Sequence, residues 1–167
     1  MQLSLQVGLR SMLNFPKKAG FYEVDEEAGL YKKHKLFKAC PFADSEQISA
    51  NKYKLQHDLY FRAKDGRIFI VKKGFIHDGA SKGFLKSFGK YTNAAILHDA
   101  LYGSGHDRSE ADSLFDEAME ISGVSWLRRN TYWAFVRVGG WYAYNTQDEK
   151  EIEENKKFII IGVKKDG

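Results

Sequence analysis

The feature that most limits this fold is the order of two residue patterns. Up to about residue 77, apolar residues alternate with polar ones or form short aromatic and β-branched runs; from about residue 91 they recur at helical spacing. Strand-like segments collected first, with helix-like segments after them, point to α+β and away from a parallel sheet wound with alternating helices. "GFYEVDEEAGLYKKHKLF" holds two aromatic-rich runs around the turn-like "DEEAG". "KYKLQHDLYFRAKDGRIFIVKKGFI" reads as a hairpin. In its first arm Tyr53, Leu55, His57, Leu59 and Phe61 alternate, Asp65-Gly66 supplies the turn, and residues 68–71 make the second arm.

Residues 91–102 are compact and alanine-rich, and Gly103 suits a C-cap. After the loop "GSGHD", Ser109 is placed to cap a second helix, with Asp112 three residues later as an acidic capping-box partner; Gly123 ends it. Residues 126–144 form a longer helix with Trp126, Trp133, Phe135, Val138 and Trp141. So apolar a helix is expected to be covered over much of its circumference, and Gly139-Gly140 to bend it. "NTQDEKEIEENKK" is a solvated connector or short helix, and "KFIIIGV" a last strand returning to the sheet. The expectation is one domain over residues 1–167: a mostly antiparallel β-sheet with about three helices packed on one side.

At 167 residues and 43% hydrophobic, such a domain buries a core without staples. The single cysteine, Cys40, excludes an internal disulfide framework and a cysteine-based zinc site. The start of the chain does not read as a signal peptide, and "FIIIGV" is too short to span a bilayer. A net charge of +4 is spread over scattered lysines, with no arginine-rich helix, so direct nucleic-acid readout is not expected.

Chemistry concentrates around "NAAILHDALYGSGHDRSEAD". His98 and Tyr102 share a helix face at i and i+4, with Asp99 about 100° round the wheel. Asp112 opens the next helix after a short loop, and Asp78 begins a loop at the end of a strand. A histidine nitrogen can take a proton from water while a carboxylate fixes its tautomer. A second carboxylate can hold a divalent cation, for which Asp99, Asp78 and His77 are the candidate ligands, and His106 could add a nitrogen. Each residue also has a plain structural alternative. His98 could bond Tyr102 or a backbone carbonyl in the core, Asp112 could serve the helix dipole, Asp78 could organise a turn, and Asp99 could pair with Lys90 or Arg108. His57 and Asp58, expected on a strand, would face opposite sides.

The series "FIHDGASKGF", "GKYTNAAILHDALY" and "DRSEADSLFDEAMEISGVSWLRRNTYWAFVRVGG" resembles the phage and prophage family of unknown function DUF1353, over about residues 55–140. The shared pattern is an Asp-Gly-Ala-Ser loop (Asp78 to Ser81), a Leu-His-Asp-x-Leu-Tyr helix (His98, Asp99, Tyr102) and an Ala-Asp helix start (Ala111, Asp112). Where the family loop commonly continues Ile-Pro-Arg, this chain has Lys82-Gly83-Phe84. The resemblance implies a phage context, in the virion or the host cytoplasm. "HDALY" is also similar to the His-Asp-x-Cys-Tyr helix of secreted phospholipases A2, without the cysteine and without kinship. Two functions are expected. One is a hydrolase acting on a cell-envelope component, with His98 activating water, Asp112 or Asp78 orienting it, Asp99 binding a cation or polar substrate, and Tyr102 and Ser81 bonding substrate. The other is a non-enzymatic virion or assembly protein, in contact with other virion subunits, whose polar cluster is structural.

Overall fold

The computed structural model describes residues 15–25, 30–33, 45–50, 52–78 and 91–162. Cys40, Ser81 and the rest of the segment 79–90 lie outside the described residues. The strands are β1 (Gly20–Asp25), β2 (Leu30–Lys33), β3 (Ser45–Ser49), β4 (Lys52–Leu55), β5 (Leu59–Arg62), β6 (Ile68–Val71), β7 (Ile76–His77) and β8 (Ile159–Gly162). The helices are α1 (Thr92–Gly103), α2 (Arg108–Ile121), α3 (Trp126–Asn145) and α4 (Glu149–Lys156). Among the described residues, five strands form a sheet in the order β2-β1-β5-β6-β8 and three form a second in the order β3-β4-β7. Every pairing is antiparallel. The fold is α+β, as the order of patterns requires.

The β5–β6 hairpin turns where Asp65-Gly66 directs it. Gly66 has φ +92, a conformation that favours glycine, and Asp65 Oδ1 accepts the Arg67 backbone N–H at 2.9 Å. Leu59 pairs with Val71 and Phe61 with Phe69. The expected first arm is not continuous, however. Leu55 exchanges backbone hydrogen bonds with Phe75 and Gly74, at 2.9 and 2.8 Å, and so leaves for the second sheet. His57 and Asp58 therefore lie between strands, not on one. Asp58 holds that break, accepting the Lys73 backbone N–H at 2.8 Å and pairing with Lys72.

All four residues of β6 are buried, because both faces of this central strand are covered. Phe69 and Val71 join Phe61, Leu97, Leu101, Phe115 and Met119 in the main core, while Ile68 and Ile70 pack with Phe15, Tyr22 and Tyr60 on the other face. β8 closes the sheet beside β6, as "KFIIIGV" suggested.

α1 is buried on nearly every side and packs against α2, α4 and β7. Its alanines let neighbours approach all round. Two capping assignments change. The left-handed residue that ends α1 is Gly105 (φ +71), not Gly103: Gly105 N–H donates to Tyr102 O and His106 N–H to Leu101 O, both at 3.0 Å. α2 is capped by Asp107, whose Oδ1 accepts the Glu110 N–H at 2.9 Å, not by Ser109. Asp112 is thereby moved out of the first turn and freed from capping. Gly123 ends α2 as expected. α3 runs through Gly139-Gly140 without interruption. It is not covered round most of its circumference: Trp126, Leu127, Trp133, Phe135 and Val138 are exposed. Among the described residues no helix is long and apolar enough to cross a membrane.

Candidate functional site

Three helices converge on one carboxylate. Asp112, in the second turn of α2, is fully buried, and His98 is 6% exposed. His98 Nε2 lies 2.9 Å from Asp112 Oδ1, and the Tyr102 hydroxyl donates to the same oxygen at 2.6 Å. The i, i+4 spacing on α1 sets these two donors one turn apart, their rings 4.1 Å between centroids. Phe115, one turn along α2 from Asp112, packs against the His98 ring at 4.9 Å.

The other carboxylate oxygen faces cations. Arg137, from α3, donates to Asp112 Oδ2 at 3.2 Å, and Arg108 Nε lies 3.9 Å from it. Arg108 also donates to the Tyr102 hydroxyl at 3.2 Å and to the Arg137 carbonyl. Tyr144 packs edge-on against Tyr102 and donates to the His106 carbonyl at 2.9 Å, tying the end of α3 to the α1–α2 loop. Sequence reasoning missed Arg108, Arg137 and Tyr144 in these roles. Arg108 left a trace, standing four residues before Asp112 at the spacing of a helical ion pair. Arg137 left another, as the one charge in "WAFVRVGG".

The electrostatics fix the protons. Burial pushes the Asp112 carboxyl up, but hydrogen bonds from His98 and Tyr102, the charge of His98 and the hydrogen bond from Arg137 outweigh it, and its pKa lies below the ordinary 3.8. Asp112 is therefore an anion and accepts only, so His98 Nε2 must carry its hydrogen. In the neutral ring Nδ1 then holds the lone pair. The Tyr102 hydroxyl is pushed up to about 12, first by burial and then by its bond to Asp112, so it stays a donor.

The other expected site residues occupy different places. Asp99 is half-buried, the next residue round α1 from His98. Asp78 is half-buried just past β7, where its charge acts on His77. His77 is buried, with Nε2 3.0 Å from Ser45 Oγ and its ring stacked with Tyr53 and Phe75. Burial lowers its pKa to about 4 against the opposing charge of Asp78. His106 sits in the α1–α2 loop, with Nε2 2.9 Å from Glu110 Oε2. The structure brings His98, Tyr102 and Asp112 into one network, and the described contacts of that network take in neither Asp78 nor Asp99. Among the described residues, no three His, Cys, Asp or Glu side chains are grouped so as to hold a metal ion, so Asp99, Asp78 and His77 do not form such a set.

The family model described as "Protein of unknown function (DUF1353)" matches residues 53–136, just over half of the 167-residue chain. That span includes His98, Tyr102, Arg108 and Asp112. No curated protein and no solved structure matches this chain.

Proposed function

The chain belongs to the family of proteins of unknown function DUF1353, and we propose that it is a phage-encoded hydrolase acting on an ester or peptide bond of a cell-envelope component. The observation that carries this reading is the pair His98 Nε2 and Asp112 Oδ1 at 2.9 Å, with the Tyr102 hydroxyl on the same oxygen. A carboxylate held in place by a tyrosine and two arginines fixes one ring nitrogen as donor. The other, Nδ1, is left as a base. In the proposed step Nδ1 takes a proton from water as its oxygen adds to the substrate carbonyl carbon. The tetrahedral intermediate collapses, the bond to the alcohol or amine breaks, and that leaving group takes the proton from His98. Tyr102, its hydroxyl already engaged with Asp112 and Arg108, positions Asp112 and does not touch substrate. Asp99, beside His98 on α1, would bind a polar substrate group, and Ser81 a substrate oxygen.

A second reading is favoured by a different observation. Asp112 is fully buried and joined to α1, α2 and α3, which is what a lock between helices requires of a non-enzymatic virion or assembly protein. One substitution separates the two. Under the hydrolase reading, His98→Gln abolishes release of acid from short-chain nitrophenyl esters and from isolated envelope material, while its thermal melt stays within a few degrees of the parent. A parent without hydrolytic activity, or a His98→Gln protein that keeps it, overturns the hydrolase; a large drop in melting temperature then supports the lock.

A further inference from the structure

α3 is apolar on two sides, and one of them faces outward. Arg129, Tyr132 and Val136 turn toward the rest of the protein: Tyr132 packs on Tyr91 at 4.9 Å, and Arg129 pairs with Asp116 and Glu120 at 3.3 and 2.7 Å. At about 100° per residue, Leu127, Ala134 and Val138 fall on the opposite side, with Trp126 and Trp133 along one edge and Phe135 along the other. Trp126 and Leu127 are each 69% exposed and Val138 81%. The ridge is also basic. α3 contains no acidic residue, and of its three arginines Arg129 is turned inward to Asp116 and Glu120, while Arg128 and Arg137 stand at the edges of the ridge, Arg137 also donating to Asp112. Arg128 stands exposed next to Phe135 on the wheel, and the Arg137 guanidinium lies over the Trp133 ring at 5.4 Å.

We propose that this outer face of α3 docks on an anionic phospholipid bilayer, with the helix lying in the plane of the interface. The chemistry of the face selects that occupant. A row of Leu, Ala and Val seats in the acyl boundary, tryptophans prefer headgroup depth, and arginines at the edges meet lipid phosphates. Leu127 and Val138 are eleven residues apart, so the ridge extends for about 16 Å along the helix, enough for several headgroups. A second copy of the chain fits poorly, because α3 carries no carboxylate to pair with the exposed Arg128 of a partner helix. Nucleic acid would match the arginines but leave the apolar ridge unpartnered. The face shares Arg137 with the Asp112 network, but the substitutions that test it leave that residue in place, so it can be tested apart from the hydrolase reading.

The test is co-sedimentation of the full chain with vesicles of phosphatidylcholine alone and of phosphatidylcholine with about one-third phosphatidylglycerol, followed by tryptophan fluorescence. The expected result is binding to the anionic vesicles with a blue shift, about ten-fold weaker binding to the neutral ones, and further weakening by salt. Leu127→Asp with Val138→Asp should cut binding by about ten-fold or more, and Arg128→Glu by a smaller factor. All three positions are exposed, so thermal melts should match the parent; Trp126→Ser is the milder variant should the double one fail to fold. Absence of binding to anionic vesicles, or binding unchanged in a folded Leu127→Asp, Val138→Asp protein, overturns the proposal. So does a parent that sediments as a dimer and becomes a monomer with the same two substitutions, since a second copy would then be the occupant.

Discussion

Asp112→Asn changes a charge at the centre of the helical network with almost no change in volume. In the parent, Oδ1 accepts from His98 at 2.9 Å and from Tyr102 at 2.6 Å, and Oδ2 accepts from Arg137 at 3.2 Å. The amide oxygen of Asn can keep the first two, but as neutral bonds, each weaker by about 1 kcal/mol. The amide nitrogen can only donate, so on the other side it faces Arg137 and Arg108, donor against donor, at a further cost of about 1 kcal/mol. Arg137 is partly exposed and can turn to water, which limits that last loss. The sum is about 3 kcal/mol at neutral pH, or roughly 6–12 °C in melting temperature for a domain of this size. Urea unfolding of parent and variant across a pH series measures it. The sign with pH is set by Asp112 itself: its native pKa lies below the unfolded 3.8, so its stabilisation is complete above 3.8 and is lost as pH falls through the native value. The gap between parent and variant should therefore be constant at higher pH and shrink in acid. A gap under about 0.5 kcal/mol at neutral pH, or one that widens in acid, would refute a charged hub.

Gly105→Ala forces a side chain into φ +71 and brings its Cβ to 3.0 Å from Ile152 Cγ2. It should cost about 1–2 kcal/mol in urea unfolding. Buried His77 has a native pKa of about 4, below the ordinary 6.5, so the unfolded chain binds the extra proton and stability is full above 6.5 and falls towards pH 4. Over that window the parent should lose about 3 kcal/mol more than a folded His77→Phe variant, and equal pH slopes would exclude this role for His77. Arg67→Met removes the pairing of the β5–β6 turn with Glu110 on α2. With both side chains about a third exposed, unfolding should register a loss of only about 0.5–1 kcal/mol, diminishing at high salt.

What the sequence determined by itself is what short-range geometry determines. Asp65-Gly66 accepts a hairpin turn, so β5 and β6 pair there. Four-residue spacing puts His98 and Tyr102 on one side of a helix whatever surrounds it. Gly123 stops α2 because its backbone can take φ +76. Even the corrected cap was legible: "DRSE" offers Asp107 with Glu110 three residues on, a better capping pair than Ser109 with Asp112. Tertiary packing decided the rest, because it joins residues whose spacing carries no information. Arg137 reaches Asp112 across 25 positions only because α3 lies on α2. The arm from Tyr53 to Phe61 divides between two sheets because Leu55 finds Phe75 and Leu59 finds Val71, a competition that alternation alone cannot settle. A helix with apolar residues on both sides does not reveal which side it will bury. Packing turned Tyr132 and Val136 of α3 inward and left Leu127 and Val138 facing out.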